Sequence, residues 1–331
     1  MTEPVPATPV PPKGVVEAIP TRPPRSQWAE VWQQLKSHKG AMTGAFLFVF
    51  IILAVMVGPL IWRVDPQFLP QGRDFINLRD TRPIYTALWD SGAKVNWNHP
   101  LGTDNLGRDT LARLLSGGRV SIAVGLTAMV LSIFLGTLIG VVAGYFKRLD
   151  GPLMRLTDLF FALPLLPLIL VAALLFRESL SASFGPEGGV FILIVALIGV
   201  TSWMQTARIV RGDVLALKER EFILAARSVG TSPFKLMVRH LLPNVLSPIM
   251  VSATLGIATA IITESALSFL GFGFPPDFPT WGRLLNDSVD RMVLYPERVL
   301  WPGILISLTV LSVNYLGDGL RDALDPRIRG R

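Results

Sequence analysis

Residues 217–244 have the sequence LKEREFILAARSVGTSPFKLMVRHLLPN, which is charged and helix-prone although it lies between two segments apolar enough to cross a membrane. Residues 218–221 begin a helical pattern, and Gly230 is predicted to end it from a left-handed position just past the helix. Ser232 and Pro233 predict the cap and the first residue of a second helix. The segment is therefore predicted to form two helices joined by a turn, lying against the cytoplasmic face of a membrane.

The middle of this segment is suited to contact with another protein. Ala225 and Ala226 have small side chains, so a groove on a partner can approach the helix backbone closely. Phe222 and Arg227 supply apolar area and charge on either side of them. This arrangement predicts a docking site for a partner protein.

The composition of the whole chain is that of a membrane protein. Half of the 331 residues are hydrophobic, 17% are charged, and the mean hydropathy is +0.49. The net charge of +7 comes from lysines and arginines that cluster beside apolar segments, where they set membrane orientation, so nucleic-acid binding is not expected. The chain contains no cysteine, which excludes disulfides and thiol chemistry.

Six apolar runs approach the ~20 residues needed to span a bilayer, which predicts an all-α, polytopic membrane protein with six transmembrane helices. The predicted spans are residues 43–62, 120–145, 159–176, 190–204, 245–262 and 299–316.

The spans define the predicted organisation of the chain. Residues 1–42 are predicted to be a disordered, proline-rich cytoplasmic tail followed by an interfacial helix around Trp28, Trp32 and Leu35. The remaining predicted regions are a first transmembrane helix at 43–62, an outer (periplasmic) loop at 63–119, a core at 120–320 with a cytoplasmic loop at 208–244, and a cytoplasmic tail at 321–331.

The distribution of basic residues predicts the orientation of the six spans. An even number of spans places both termini on one side, and basic residues crowd the loops on that side, so both termini are predicted to be cytoplasmic. The basic residues assigned to this side are Lys147, Arg148, Arg155, Arg208, Arg211, Lys218, Arg220, Arg227, Lys235, Arg239, Arg321, Arg327, Arg329 and Arg331. The loop after the third span, on the outer side, is expected to contain Arg177, and the acidic outer loop after the fifth span is expected to contain Glu264.

Two spans have residues that affect helix packing. Gly136, Gly140 and Gly144 recur at four-residue spacing and give one smooth face, which favours close packing of another helix or, alternatively, a lining for a translocation path. Pro164 and Pro167 are expected to kink or interrupt the third span, as a static bend or as a hinge.

Several classes of function are disfavoured by what the sequence lacks. No Asp, Glu, Lys or Arg lies in the middle of a predicted span, whereas ion-coupled carriers usually place ionisable groups there. No G-x-x-x-x-G-K-[ST] motif is present, so any ATP hydrolysis that drives transport must occur on another chain. The three histidines form no H-E-x-x-H motif, and we predict no catalytic residue, no metal site and no bound cofactor.

The pattern A-A-x-x-x-G followed by L-P resembles the EAA loop of ABC importer permeases. The residues that match it are Ala225, Ala226, Gly230, Leu242 and Pro243. Three further segments resemble the dipeptide/oligopeptide permeases of this group, namely HPLGTDNLGRDTLARLLSGGRVSIAVGL at 99–126, ESALSFLGFGFPPDFPTWGRLLND at 264–287 and LGDGLRDALDPR at 316–327. Together they resemble the second permease of the pair found in such importers.

The resemblance implies a type I ABC importer permease fold, with residues 120–320 as the permease core. It also implies that the first helix of the charged segment docks in a groove of an ATPase subunit. The residues assigned to this coupling site are Glu221, Phe222, Leu224, Ala225, Ala226, Arg227, Ser228, Gly230 and Pro243. Leu224 occupies the position of the glutamate after which the loop is named, so any ionic contact of that glutamate is not expected here.

The implied assembly lies in the cytoplasmic (inner) membrane. Its other members would be a second permease subunit forming a heterodimer, two ABC ATPase subunits and an extracytoplasmic solute-binding protein. The expected substrates are dipeptides or oligopeptides, with nickel, glutathione or an oligosaccharide as alternatives. An alternative of a different class is a membrane scaffold whose loop anchors a soluble partner.

The outer motif precedes the second span and comprises Gly102, Thr103, Asp104, Gly107, Arg108 and Asp109. Asp104 is expected to cap a helix or form a turn, and Gly107 to permit the turn that brings Arg108 and Asp109 to the start of the next helix. The motif is interpreted either as a self-contained cluster of caps and ion pairs or as a contact site for the solute-binding protein or the partner permease.

Overall fold

The computed structural model of the chain describes residues 27–324, which form helices joined by turns and loops. The helices, in chain order, are α1 (Gln27–Ser37), α2 (Lys39–Ile61), α3 (Gly72–Leu78), α4 (Thr110–Tyr145), α5 (Lys147–Ala162), α6 (Leu165–Phe184), α7 (Pro186–Leu217), α8 (Glu221–Ser228), α9 (Pro233–Leu236), α10 (Leu242–Asn244), α11 (Leu246–Phe269), α12 (Trp281–Val289) and α13 (Glu297–Leu324). Ile84–Leu88 form a 3-10 helix and Met237–Leu241 a π-helical turn. Within residues 27–324 there is no β-strand, only two isolated bridges.

Six of these helices, α2, α4, α6, α7, α11 and α13, are long and apolar enough to cross a membrane. Many of their large apolar side chains are exposed on the outside of the bundle, where a bilayer would cover them. The prediction of an all-α protein with six transmembrane helices is confirmed.

Helices α4 and α7 pack against each other along much of their length through small residues. A methyl group added at Gly140 would lie 2.7 Å from the carbonyl oxygen of Ala207, and one added at Gly136 would lie 2.7 Å from that of Trp203. A methyl group added at Gly144 would lie equally close to the side chain of Val214. The three glycines of the second span therefore allow the backbones of two helices to approach closely.

Two spans extend further than their hydropathy predicts. Helix α4 begins at Thr110 rather than at residue 120, because Asp109 caps its first turn. Helix α7 continues to Leu217 rather than ending at residue 204, so part of the segment assigned to a cytoplasmic loop at 208–244 is helix. The added turns contain charged residues, so a hydropathy criterion excludes these turns from the spans. Packing and ion pairs nevertheless keep the turns helical.

The proline-containing third span is shifted along the chain. Helix α5 ends at Ala162 and α6 begins at Leu165, with Pro164 in the extended conformation between them, so the chain is interrupted at this point. Pro167 is accommodated near the start of α6, where its missing N–H has no helical partner to lose. Helix α6 then runs to Phe184, which places Arg177 inside a helix instead of in the predicted loop.

The last two spans are also longer than predicted. Helix α11 includes Glu264, which is fully buried and does not lie in an outer loop. Helix α13 continues to Leu324, so the predicted tail at 321–331 begins with helical residues. Neither extension was predicted, because an acidic residue follows the apolar run in each case and lowers the hydropathy there.

The chain before the first span is helical and packs onto the end of the last span. Val31 and Leu35 of α1 are buried against Ala41 and Ala323. The predicted interfacial helix therefore also contacts the bundle. The proline-rich tail predicted at 1–25 and the arginines at 327, 329 and 331 lie outside the described residues.

Candidate functional site

Helix α8 is a short helix whose two ends are defined by local hydrogen bonds. Gly230 has a φ of +82°, and its N–H donates to the carbonyl of Arg227 at 2.9 Å. The N–H of Thr231 donates to the carbonyl of Ala226 at 3.1 Å. These two bonds form a Schellman motif, which explains why the helix ends where a glycine tolerates the left-handed backbone. Residues 218–220 form a turn before α8 instead of beginning it.

One face of α8 anchors it to the transmembrane helices. Ile223 is completely buried in a cluster with Val210 and Val214 of α7. Leu236 of α9 and Val141 of α4 belong to the same cluster. Burying a side chain of this size stabilises the contact by about 1.5–3 kcal/mol, so α8 is held firmly against the ends of α4 and α7.

A neighbouring face of α8 carries an apolar strip formed by Phe222, Ala225, Ala226 and Val229, of which Ala226 is half-buried and the other three are exposed. These residues recur at the three- and four-residue spacing of one helix face. Phe222 is 46% exposed and Val229 87% exposed, while the alanines between them are small. The α8 strip therefore offers a partner an apolar surface with a shallow centre.

The other residues assigned to the coupling site lie around this strip. Leu224 is exposed, and Ser228 donates a 3.0 Å hydrogen bond to its carbonyl. Glu221 stands in the first turn, where a carboxylate complements the helix dipole. The guanidinium of Arg227 lies 5.9 Å from the centre of the Tyr145 ring at the end of α4.

The second half of the segment continues the helical path towards α11. Ser232 is the N-cap residue of α9 and Pro233 its first residue, as predicted, but the Ser232 side chain makes no capping hydrogen bond. The chain then forms a π-helical turn before Pro243, which is exposed in α10. Because proline has no N–H, the wider turn accommodates the missing donor.

Ion pairs brace the same end of the bundle. Arg211 of α7 forms a two-point pair with Asp150 of α5, with 2.7 Å between Nη2 and Oδ2. The Arg211 hydrogen bonds lower the pKa of Asp150 below its ordinary value. Lys218 donates from Nζ to the carbonyl of Gly144 at 3.1 Å and so joins the end of α7 to the end of α4.

The outer motif lies at the opposite end of the bundle and forms a compact turn. Asp104 accepts backbone hydrogen bonds from Leu106 and Arg108, both at 2.9 Å, while Gly107 has a φ of +80°. Asp109 caps α4 by accepting from the N–H of Ala112 at 2.6 Å. Asp104 is thus a turn former, and the capping role falls to Asp109.

Backbone and hydroxyl contacts hold this turn in place. Gly102 has a φ of +73° and leaves no room for a side chain, since an added methyl would lie 2.4 Å from the carbonyl oxygen of Thr81. Thr103 is fully buried, and its hydroxyl lies 2.8 Å from that of Thr81. Arg298 of α13 donates to the Thr103 carbonyl at 2.6 Å.

Charged side chains of the motif join a larger network. Arg113 bridges Asp104 at 2.7 Å and Asp287 of α12 at 3.1 Å, while Arg108 contacts the same Asp104 oxygen at 2.7 Å. Asp80 pairs with Arg291 and Arg298 at 2.8 and 2.9 Å. Two networks thus connect the long loop after α2 to α12 and α13.

Asp80 is held in its charged form by this network. Burial acts to raise the pKa of the carboxyl, but hydrogen bonds and positive charge from Arg298 and Arg291 lower it below its ordinary value. The carboxylate therefore remains ionised and paired under ordinary conditions.

Sequence reasoning did not identify a buried polar cluster in α11. Ser268 donates to Glu264 at 2.7 Å, and Ser265 lies 3.5 Å from the same carboxylate. The hydroxyl of Ser121 in α4 accepts a hydrogen bond from the N–H of Trp281 at 3.3 Å. A carboxylate followed by serines at one and four positions, at the end of an apolar run, was the available signal.

Sequence reasoning also did not identify a groove of about 800 Å³, mostly apolar, whose polar lining residues come from α7, α11 and the end of α13. Thr201, Gln205 and Asp213 recur at multiples of four residues along one face of α7. Ser252 and Thr259 line the groove from α11. The four-residue spacing of these polar side chains, interrupted once by Ile209, was the signal that could have revealed the groove.

Comparison with known proteins places this geometry in a family. The model described as "Binding-protein-dependent transport system inner membrane component" matches residues 120–330. The model described as "N-terminal TM domain of oligopeptide transport permease C" matches residues 26–79.

Several relatives match over nearly their whole length. The chain is 34% identical to the oligopeptide transport system permease protein OppC of Bacillus subtilis, covering 92% of this chain and 91% of the relative. It is 36% identical to the di/tripeptide transport system permease protein DppC of Pseudomonas aeruginosa, covering 91% and 92%. It is 37% identical to the glutathione transport system permease protein GsiD of Shigella boydii, covering 96% and 97%.

A solved structure agrees with the fold. A chain of the inward-facing MetNI methionine ABC transporter superimposes with a TM-score of 0.50 at 16% identity, covering 63% of this chain and 94% of that one. This likeness concerns the fold alone, whereas the sequence matches extend over both the first span and the core. The chain therefore belongs to the family of binding-protein-dependent transport system inner membrane components, as an ABC importer permease of the oligopeptide and dipeptide type.

Proposed function

We propose that the chain translocates peptides across the inner membrane, using α8 as the element through which an ATPase subunit drives the transmembrane helices. The observation that carries this proposal is the two-sided character of α8. Its strip of Phe222, Ala225, Ala226 and Val229 is exposed except for the half-buried Ala226, whereas Ile223 is buried against α7. A helix with one free apolar face and one anchored face can pass a partner's movement to the membrane helices.

The mechanism follows from the contacts at this end of the bundle. A force on α8 reaches α7 through Ile223, and it reaches α4 through the bond between Lys218 and Gly144. The close packing of α4 on α7 makes the two helices move together. ATP-driven closure of the ATPases would then bias the helices between inward-open and outward-open arrangements.

The proposed orientation places α8 and both termini in the cytoplasm. Basic residues that support this orientation include Lys147, Lys218, Arg220 and Lys235, all at the α8 end. The network around Asp104 then faces the periplasm, where a solute-binding protein would deliver substrate. The remaining partners would be two ATPase subunits and a second permease that forms a heterodimer with this chain.

The division of labour between the chains is part of the proposal. ATP binding and hydrolysis would take place on the ATPase subunits, because the sequence of this chain has no phosphate-binding G-x-x-x-x-G-K-[ST] motif. We therefore expect this subunit, purified alone, to hydrolyse no ATP.

The proposed substrates are dipeptides and oligopeptides, because relatives named as oligopeptide and di/tripeptide permeases match more than nine-tenths of the chain. Glutathione is a second candidate, since a glutathione permease is 37% identical. Uptake of labelled peptides and of glutathione by proteoliposomes that contain the complete complex would distinguish the two.

A reconstitution experiment tests the coupling role against a passive anchor. The complex would be assembled with wild-type chain or with Ala226→Asp, which places charge on the α8 strip. Loss of ATP-dependent uptake together with reduced ATPase association is expected. Wild-type uptake by the variant, with the partner still bound, would show that α8 anchors the ATPase without coupling it to the membrane helices.

A further inference from the structure

An apolar cleft lies between α4 and α11 and extends to the α8 end of the bundle. It has a volume of about 710 Å³, and apart from Thr137 its walls are aliphatic, aromatic and methionine side chains. Ile249 and Ala253 of α11 line its length, and Phe234 and Val238 line its end. We call it the α4–α11 cleft.

The cleft belongs to the part of the bundle that a bilayer would surround. Both α4 and α11 are long and apolar enough to cross a membrane. Val130, Phe134 and Leu138 line the cleft from one face of α4 and are exposed, so the described chain leaves the cleft open towards the lipid. Walls of this kind favour an occupant that is apolar along most of its length.

The dimensions of the cleft fit a hydrocarbon chain. Along α4 the lining runs from Leu126 to Val142, which is about 24 Å at the helical rise of about 1.5 Å per residue. A volume of about 710 Å³ spread over that length gives a mean cross-section of about 30 Å². A helix with its side chains is about 10–12 Å across and needs about 80–110 Å². The cleft is therefore too narrow for a helix of a partner subunit but wide enough for an extended acyl chain.

Two cations stand at the α8 end of the cleft. Lys235 and Arg239 directly follow the lining residues Phe234 and Val238 in the chain. Both cations are exposed, and neither forms an ion pair with another residue in the range 27–324. Basic side chains beside an apolar membrane surface attract the headgroups of anionic lipids.

We propose that the α4–α11 cleft binds an anionic phospholipid, with an acyl chain between α4 and α11 and the headgroup phosphate paired with Lys235 and Arg239. The proposed orientation places this lipid in the cytoplasmic leaflet. Helix α9 and the π-helical turn connect α8 to α11, so the lipid contacts the segment through which α8 joins the last two spans. The inference goes beyond import, because binding of the lipid requires neither substrate nor ATP.

Photo-crosslinking from inside the cleft identifies its occupant. A benzoylphenylalanine is placed at Phe134 in the complete complex, in nanodiscs made of equal parts of phosphatidylglycerol and phosphatidylcholine, and the adducts are weighed by mass spectrometry. Leu174 of α6 is the matched control, because it is 64% exposed against 62% for Phe134 but does not line the cleft. Adducts at Phe134 should favour phosphatidylglycerol about 25-fold, since each of the two cations contributes about fivefold, whereas adducts at Leu174 should show the bulk ratio.

Removal of the cations should change which lipid is bound without emptying the cleft. Lys235→Gln and Arg239→Gln should each lower the ratio of phosphatidylglycerol to phosphatidylcholine adducts at Phe134 about fivefold. The double variant should bring this ratio to the value at Leu174. Arg155→Gln removes an exposed cation of α5 that does not flank the cleft, so the ratio should stay at its wild-type value.

Three results would overturn the proposal. Adducts of Phe134 with the second permease or with an ATPase subunit would show that a protein covers the cleft. Equal amounts of the two lipids at Phe134, or a preference that survives the double variant, would show that the cations do not bind the headgroup. Absence of any adduct at Phe134, with normal adducts at Leu174, would show that no lipid enters the cleft.

Discussion

Arg211 and Asp150 form a two-point ion pair that joins the last turns of α7 to the first turn of α5. Both side chains are partly shielded, with exposed fractions of 32% and 23%. The pair lies on the helix that leads directly into α8. It therefore fixes the direction in which α7 reaches the docking surface.

A double-mutant cycle should detect this pair as a coupling energy. Asp150→Asn and Arg211→Gln should each lower the free energy of unfolding, and the double variant should lose less than the sum, by about 0.5–1 kcal/mol. Thermal unfolding of the purified subunit in detergent measures the four stabilities. Strict additivity would show that the pair contributes nothing.

The pH dependence of the coupling energy follows from the pKa of Asp150. Arg211 lowers this pKa in the folded protein. The stabilisation by the ion pair is therefore fully present above the ordinary carboxyl pKa of 3.8, and it is lost as the pH falls through the lower pKa of the folded state. The coupling energy should therefore be the same at about pH 7 and about pH 5.5. A decrease over that interval would contradict the assigned direction of the shift.

Gly230 should be sensitive to any side chain and most sensitive to a β-branched one. The space around it is open, but its φ of +82° makes a left-handed backbone necessary, at a cost of roughly 1–2 kcal/mol for other residues. Gly230→Val should strongly reduce coupled uptake, and Gly230→Ala should have an intermediate effect. Gly303→Val is the control, since that glycine also has open space but an ordinary backbone. Wild-type coupling in Gly230→Val would show that the end of α8 has no role in coupling.

Gly140 should be sensitive for a different reason, namely lack of space. An added methyl would meet the Ala207 carbonyl at 2.7 Å, so Gly140→Ala should lower the free energy of unfolding by about 1–3 kcal/mol. Gly212→Ala, where no atom lies within 4 Å, should be neutral or slightly stabilising. Equal melting temperatures for the two variants would contradict the close packing of α4 on α7.

The proposed orientation predicts which loops face outwards. Reporters at Gly185, between α6 and α7, and at Asp277, between α11 and α12, should report the outside of the inner membrane. A reporter at Lys218 should report the cytoplasm. Labelling of Lys218→Cys by an external, membrane-impermeant thiol reagent would contradict the proposed orientation.

The number of spans and the position of Gly230 could be predicted because each rests on a local signal. Hydropathy over about 20 residues identifies a span, and a glycine after a charged helix marks its end. The spans were too short at several ends because charged residues such as Arg113 and Arg211 remain helical when ion pairs satisfy them. Hydropathy alone does not detect an ion-pair partner that is distant in sequence.

The ion-pair networks and the groove could not be predicted from the sequence, because they depend on how the helices pack. Arg113 and Asp287 are separated by 174 positions, and no spacing rule connects them. Asp213 faces the groove only because α7 packs between α4 and α11, which turns one polar face towards the space beside α13. The sequence predicts the polar residues, but their shared surface depends on the packing of four helices.

Photo-crosslinking at two matched valines tests whether α8 is the docking element. Val229 at the end of α8 and Val293 at the opposite end of the bundle are both 87% exposed. A benzoylphenylalanine placed at Val229 in the complete complex should crosslink to the ATPase subunit, whereas one at Val293 should not. Crosslinking of the ATPase at Val293 and not at Val229 would contradict the proposed coupling role of α8.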